Sequence, residues 1–235
     1  MIIYTCFIRN SPNYKSIFYG LYFIGGSYLI SRCMSTKVNK NVPNLNSFIK
    51  NVLIGILLGD GWLEKQKVNA RLRFEQSDIH KEFFFYVYKF FSEFCKSSPR
   101  LRERWDKRTG KVYYTWHFST KSYPMFTEVY DLFYVNKKKV VPVNIKELLS
   151  DVGLAIWIQC DGWKHNKGVT LATNAFSDVE NQLLIDALNE KFALDCRLIR
   201  DHEHPSIHIP YNQMSNLQKL VLPYMHESFL YKIYL

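Results

Sequence analysis

Two stretches of the chain are apolar at nearly every position. Residues 49–59 and 152–160 lack the alternation of a half-exposed strand, and their length suits helices that are buried all round. Each run leads into an Asp-Gly-Trp triplet, which begins at Asp60 in the first copy and at Asp161 in the second. The pattern therefore predicts two buried helices, each of which ends at a carboxylate.

The two runs form an internal repeat, because Asp60 and Asp161 are 101 positions apart, a spacing typical of domains. Gly61 and Gly162 stand where a glycine commonly ends a helix. Other small residues in the runs, such as Gly55, would let the two helices approach closely. We therefore expect two similar halves whose buried helices pack against each other.

The repeated carboxylates predict a metal site. An acid at a helix C-terminus opposes the helix dipole, and two neighbouring acids repel each other. Mg²⁺ or Mn²⁺ would relieve both effects and would leave coordination positions for phosphate oxygens. The alternative is two ordinary helices that end in solvated Asp-Gly turns, which a repeat in a basic chain makes the weaker interpretation.

The charge of the chain indicates an anionic partner. Lys and Arg number 31 against 21 Asp and Glu, which gives a net charge of +10. Residues 1–59 contain no acid, and residues 60–150 are also strongly basic, whereas residues 151–235 carry a small negative charge. This balance favours nucleic acid over a membrane surface.

The five cysteines are scattered and form no C-x-x-C pair, which argues against a zinc ribbon or a disulfide framework. The longest nearly apolar run, residues 17–30, is shorter than the roughly 20 residues of a membrane-spanning helix. Residues 1–47 are predicted to be a basic leader and linker. They are either a mitochondrial presequence or an in-frame remnant of upstream sequence, with a secretory signal as a weaker third option.

Between the two repeats, alternating strands predict a basic sheet surface. Residues 71–75 and 100–105 alternate so that their arginines share one face, and residues 107–110 resemble a hairpin turn before a strand over 112–120. Such a ribbon suits the major groove of DNA, and a solvated basic face is the alternative. The candidate DNA contacts are Arg71, Arg73, Arg100, Arg102, Arg104, Lys107, Arg108, Lys111, His117, Lys121, Lys164, Lys167, Arg197, Arg200 and His208.

The two Asp-Gly-Trp runs resemble the paired motifs of LAGLIDADG homing endonucleases, in the monomeric two-motif form of the yeast mitochondrial omega-intron type. The resemblance covers about residues 48–235 and includes the stretches 136–142 and 171–177. It implies an α+β fold of two αββαββα-like repeats, over residues 48–150 and 151–235. The motif helices would pair at the interface, and an antiparallel β-saddle would hold DNA.

The resemblance also implies an activity, namely metal-dependent cleavage of both DNA strands across the minor groove, which leaves staggered ends. It implies a metal site at Asp60 and Asp161 together with the residues before them, Gly59 and Cys160. It further implies that Lys139 and Lys232 neutralise negative charge in the transition state. Gln76 and Asn174, each in the first strand after a motif helix, are implied to order water in the active site.

A second function stays open at this point. Members of this family can act as RNA maturases that assist group I intron splicing, with or without nuclease activity, and basic sheets suit structured RNA as well. A DNA-binding regulator derived from an inactive endonuclease is the third option. The expected partners are therefore double-stranded DNA and group I intron RNA, for a monomer in the mitochondrion.

Overall fold

A computed structural model describes most of the chain, namely residues 7–11, 14–24, 27–34, 44–165, 167–201 and 204–235. It divides into two compact units, Met1–Val42 and Pro43–Leu235. No helix in the described part of the chain is both long enough and apolar enough to cross a membrane.

The first unit contains one antiparallel sheet of three strands in the order of the chain. Its strands are β1 Phe7–Ser11, β2 Tyr14–Ile24 and β3 Ser27–Met34. This sheet falls within the predicted leader, and most of the predicted linker before the first repeat lies outside the described residues.

The second unit begins with an αββαββα repeat. Its elements are α1 Ser47–Leu58, β4 Trp62–Lys65, β5 Ala70–Ser77, α2 Lys81–Phe91, β6 Arg100–Asp106, β7 Lys111–Ser119 and α3 Pro124–Phe133. A small hairpin and a short helix then lead to the second repeat, as β8 Tyr134–Val135, β9 Lys138–Lys139 and α4 Ile145–Leu148.

The second repeat has the same order of elements. They are α5 Asp151–Asp161, β10 Gly162–Lys164, β11 Gly168–Ala172, α6 Asp178–Phe192, β12 Arg197–Asp201, β13 His204–Pro210 and α7 Met214–Val221. The two sheets share one topology, β4-β5-β7-β6 in the first and β10-β11-β13-β12 in the second. Single 3-10 turns and a final 3-10 helix over Glu227–Ile233 complete the unit. The predicted α+β fold of two αββαββα repeats is confirmed.

The predicted buried helices are α1 and α5, and each begins at a side-chain cap. Asn46 accepts a hydrogen bond from the Ile49 amide at 2.8 Å, and Ser150 accepts one from the Gly153 amide at 3.2 Å. Gly162 ends α5 as predicted. The prediction for the first helix was wrong, because α1 ends at Gly59, which leaves the Gly61 amide free to close a turn onto the Ile56 carbonyl at 2.9 Å.

The two helices pack closely because glycine in one copy faces a larger residue in the other. A Cβ atom on Gly55 would lie 2.8 Å from the Cβ of Ile156, and one on Gly59 would lie 2.4 Å from the Cβ of Cys160. Both glycines are 101 positions before the residue they meet, so the contacts join equivalent positions of the repeat. The large residues in the second motif are thus accommodated by small ones in the first.

Candidate active site and nucleic-acid interface

Asp60 and Asp161 lie at the C-terminal ends of the paired helices, where the structure brings them together. Burial raises the pKa of Asp161 to about 7, and the negative charge of Asp60 adds to the increase. Burial also raises the pKa of Asp60, although hydrogen bonds from Gln76 and Cys160 oppose the increase. Two buried acids that influence each other in this way form a site that favours bound cations.

Gln76 directly contacts the first carboxylate, because its side-chain amide donates a hydrogen bond to Asp60 Oδ2. Gln76 lies in β5, the second strand after α1, and not in the first strand as predicted. The equivalent prediction for Asn174 was also wrong in position, since Asn174 is an exposed residue in the turn after β11.

Strand pairing identifies the counterpart of Gln76. Trp62 pairs with Arg73 in the first sheet, and Trp163 pairs with Thr170 in the second. Gln76 is three residues after Arg73, and Thr173 is three residues after Thr170, so these two residues occupy equivalent positions. Thr173 is buried and donates its hydroxyl to the Pro205 carbonyl at 3.3 Å, so the second half has no amide at this position. The two halves of the site therefore differ in chemistry.

Lys139 reaches the end of α1 from the β8–β9 hairpin. Asn136 and Lys137 both adopt positive φ, which produces the tight turn and directs the next strand back toward the helix. The Lys139 ammonium donates to the carbonyls of Leu57 and Gly61, each at 2.8 Å. It thereby satisfies acceptors that the helix end leaves unpaired.

Lys232 does the same for α5 from the final 3-10 helix. Its ammonium donates to the Gln159 carbonyl at 2.7 Å and to the Ile158 carbonyl at 3.3 Å. Burial lowers the pKa of both Lys139 and Lys232, and the two aspartates oppose this effect. The structure thus places one cation at each helix end, within electrostatic reach of both carboxylates.

The available donors fit a divalent cation with oxygen ligands. Asp60 and Asp161 supply carboxylates, and Gly59 and Cys160 precede them at the helix ends. No cluster of three or more His, Cys, Asp or Glu side chains suited to a metal occurs in the described residues. Two protein carboxylates without a third acid would leave coordination positions open, as a catalytic Mg²⁺ site requires.

His80 belongs to this neighbourhood and was missed by the sequence analysis. It is the last residue of a single 3-10 turn over Asp78–His80, directly before α2, and its ring centre lies 5.0 Å from that of Phe229. Burial lowers the pKa of His80, Lys232 lowers it further, and Asp60 raises it. No spacing in the sequence connects His80 to either motif, because the fold of α2 against the final helix brings it there.

The arginine face predicted for the first sheet is confirmed by strand register. Arg102 pairs with Thr115 and Arg104 pairs with Tyr113, so these residues project to one side, as Arg73 does opposite Ser119. The other side of β5 is buried, as in Phe74. Further predicted contacts lie on the same face, in the hairpin turn or in the loop after β7. They are Arg71, Arg100, Lys107, Arg108, Lys111, His117 and Lys121.

The second sheet agrees with the prediction only in part. Arg197 pairs with His208 on the outer face, but His208 is buried and its Nδ1 lies 3.1 Å from the Thr170 hydroxyl. Lys164 lies on the opposite, helix-covered side, with its ammonium 4.3 Å from the ring centre of Tyr234.

Arg200 also lies on the helix-covered side and bonds both carboxylate oxygens of Asp178 at 2.8 Å. Alternation along short strands turns Lys164 and Arg200 away from the outer face. Lys167 stays exposed in the β10–β11 turn.

A family model described as the LAGLIDADG DNA endonuclease family matches residues 50–217. Among curated proteins, the cytochrome b mRNA maturase bI2 of Debaryomyces hansenii is 31% identical, over 95% of this chain and 88% of that protein. The protein of the same name from Saccharomyces cerevisiae is 28% identical over 99% of this chain, which spans 59% of that protein's length.

Two further comparisons concern nucleases. A probable intron-encoded endonuclease 1 of Wickerhamomyces canadensis is 30% identical, over 83% of this chain and 87% of that protein. The solved structure of the homing endonuclease I-WcaI bound to its DNA recognition sequence superposes with a TM-score of 0.78 and 29% identity. That match covers 83% of this chain and 89% of the other.

Proposed function

The chain belongs to the LAGLIDADG DNA endonuclease family, and we propose that it is a site-specific homing endonuclease that hydrolyses one phosphodiester bond in each strand of a DNA duplex. One observation carries this proposal, namely the pair of buried carboxylates, Asp60 and Asp161, at the ends of the paired helices. A site of concentrated negative charge beside a basic sheet can bind a phosphodiester only through cations.

The residues of the site would divide the work as follows. Asp60 and Asp161, with the carbonyls of Gly59 and Cys160, would hold divalent cations, Mg²⁺ or Mn²⁺, which activate water and stabilise the leaving oxygen. The Gln76 amide fixes the orientation of the Asp60 carboxylate and would also order water in the first half of the site, whereas the second half has Thr173 at the equivalent position.

The two lysines would act on charge. Lys139 and Lys232 are anchored on helix carbonyls, so their ammonium groups are held in place before a substrate arrives. Their positive charge would offset the charge that develops on the phosphate in the transition state, and this preorganisation avoids a cost at the moment of reaction.

The support for a DNA substrate comes from the arginine face and from the DNA-bound nuclease that shares the fold. We propose that the outer face of the first sheet contacts bases and phosphates of one half-site, and that Arg197 and Lys167 contact the other. Both repeats lie in one chain, so a monomer would supply the twofold symmetry of the site.

Cleavage of intron-containing and intron-less forms of the source organelle's DNA tests the nuclease proposal. With Mg²⁺, the full chain should make one staggered cut in the intron-less form only, and EDTA should abolish it. Asp161→Asn should lose cleavage of at least one strand while it retains DNA binding. Asp131→Asn, which removes an exposed acid 3.7 Å from Lys65, serves as the control. Cleavage of both strands by Asp161→Asn would contradict the metal assignment.

A second candidate function is assistance of group I intron splicing. It is favoured by two relatives that are named cytochrome b mRNA maturases, one of which matches 95% of this chain. A splicing assay with Asp60→Asn and Asp161→Asn separates the functions, because maturase activity should survive both changes. If both variants fold but no longer assist splicing, the splicing activity depends on the metal site, and this result would contradict a separate maturase function.

We also propose that the protein acts in mitochondria and that residues 1–47 precede two functional repeats, 48–150 and 151–235. The basic, acid-free composition of the leader supports this proposal. Import of a fluorescent fusion of residues 1–47 into isolated mitochondria would test it, and a fusion that stays outside would indicate an organelle-encoded reading frame instead.

A further inference from the structure

The β6–β7 hairpin carries an exposed apolar patch on the side opposite to its arginines. We call this the reverse-face patch, and it consists of Leu101, Trp105, Val112 and Tyr114. Their side chains are 48%, 58%, 38% and 43% exposed. Trp105 pairs directly with Val112, and Tyr114 lies next to them on the same face. Grouped apolar side chains of this kind commonly mark an interaction site.

The patch begins where the helix cover ends. Trp116 is the last residue of this face that α2 covers, since its ring centre lies 5.1 Å from that of Phe85 and its indole donates to Asp78 at 2.6 Å. Beyond Trp116 the two strands continue, and no helix of the described residues packs against them. The hairpin is therefore longer than its packing requires.

The second repeat shows that the fold does not demand such a surface. The β12–β13 hairpin is shorter and its last strand pair is Asp201–His204, so these strands have no counterpart of the Trp105–Val112 pair. Ile207, which pairs with Leu171 as Phe118 pairs with Phe74, is fully buried in the core. Arg200 closes the same face through its ion pair with Asp178 at the start of α6. Of the described strands in the two repeats, only those of the first thus have exposed aromatic rings on this side of the sheet.

We propose that the reverse-face patch binds unpaired bases of RNA by stacking on Trp105 and Tyr114. Exposed aromatic rings next to cations are the usual means of holding single-stranded nucleic acid, because every base offers a ring face. The inference deepens the second proposed function, since intron RNA would supply the unpaired bases.

The surrounding charge favours RNA over a protein partner. Residues 81–116 contain nine Lys and Arg against four acids, so a second copy of this chain would meet like charge. The Lys81 ammonium lies 5.6 Å from the ring centre of Trp116, at the base of the patch, and Lys107 and Arg108 are exposed at its tip. Glu103, opposite Tyr114, is the exception on this face.

A DNA duplex held on the arginine face would not occupy the patch. Strand register places Arg102 and Arg104 on the opposite side of the same two strands. Bases inside a duplex are already stacked, whereas the loops and bulges of a folded RNA offer bases that are free to stack on a side chain. Both nucleic acids could therefore bind the first repeat at once.

Neighbouring tyrosines provide a matched test. Tyr114 and Tyr113 are 43% and 40% exposed and lie on opposite faces of β7. We expect Tyr114→Ala and Trp105→Ala each to weaken binding of a fluorescein-labelled oligouridylate to the full chain by about tenfold. Tyr113→Ala should leave that affinity unchanged. Glu103→Gln should tighten it a few-fold, because it removes a charge that repels phosphate.

Three outcomes would overturn the proposal. These are unchanged oligouridylate affinity in a Trp105→Ala/Tyr114→Ala double variant, equal loss in Tyr113→Ala, and a wild-type dimer that the double variant dissociates. Cleavage of target DNA by the same proteins keeps the proposals distinguishable. RNA binding through the patch without DNA cleavage would refute only the nuclease function, and cleavage with patch-independent RNA binding would refute only this inference.

Discussion

Replacing Asp161 with asparagine should stabilise the metal-free protein while it removes activity. The pKa of Asp161 is raised from 3.8 to about 7, first by burial and then by the charge of Asp60. The folded protein therefore binds this proton more tightly than the unfolded chain. The stabilisation that the proton provides is fully present below about pH 4 and is lost as the pH rises toward 7.

The magnitude follows from the difference in pKa. A change of about 3 pKa units corresponds to about 4 kcal/mol of folding free energy that the ionised Asp161 costs above pH 7. An asparagine amide avoids that cost, but burial of this polar group reduces the gain in folding free energy by about 1 kcal/mol. We therefore expect Asp161→Asn to be more stable than the wild type by about 3 kcal/mol at pH 8.

Urea unfolding in EDTA at pH 8 and at pH 4.5 measures this effect. The advantage of Asp161→Asn should vanish at pH 4.5, where the carboxylate of the folded wild type is protonated. Asp131→Asn, at an exposed position, should change the free energy of unfolding by less than about 1 kcal/mol at either pH. Equal stability of Asp161→Asn and wild type at pH 8 would refute the reasoning, and so would an advantage independent of pH.

Three further changes test the packing, the lysine anchors and the arginine face. Gly55→Ala should lower the free energy of urea unfolding by about 1–3 kcal/mol, because its Cβ would lie 2.4 Å from the Gly153 carbonyl oxygen; a gain would contradict the close helix contact. Lys139→Met should cost about 1–3 kcal/mol in the same assay, since two carbonyl oxygens lose their donor, and exposed Lys138→Met should cost less than about 0.5 kcal/mol. Arg104→Ala should reduce the slope of log Kd against log salt for duplex DNA by about 1, and an unchanged slope would place Arg104 away from phosphate.

The sequence alone was sufficient for features that depend on local patterns. The apolar runs before Asp60 and Asp161 indicated buried helices because no face of either run is polar. Alternation placed Arg71 and Arg73 on one side of β5, and the register confirms that face. The hydrophobic periodicity and the spacing of the repeat are seen again in the structure because they reflect which side chains are buried away from water.

Local patterns were less reliable at the ends of elements. The helix before Asp60 ends at Gly59 and not at the predicted Gly61, because the Gly59 amide makes the last helical hydrogen bond, to the Gly55 carbonyl, whereas the Gly61 amide closes a wider turn onto Ile56. Short strands raised the same difficulty in the second sheet. A strand assignment that is shifted by one residue predicts the opposite face for every side chain, and the observed register places Lys164 and Arg200 on the helix-covered side.

The tertiary structure decided which distant residues share the site. Three consecutive lysines precede Val140, and only the turn at Asn136 determines that Lys139 is the one that reaches α1. His80 joins the carboxylates through the packing of α2, with no signal in its own sequence context. A sequence records what each residue prefers locally, whereas the meeting of residues far apart depends on how helices and sheets pack, and that is a property of the whole fold.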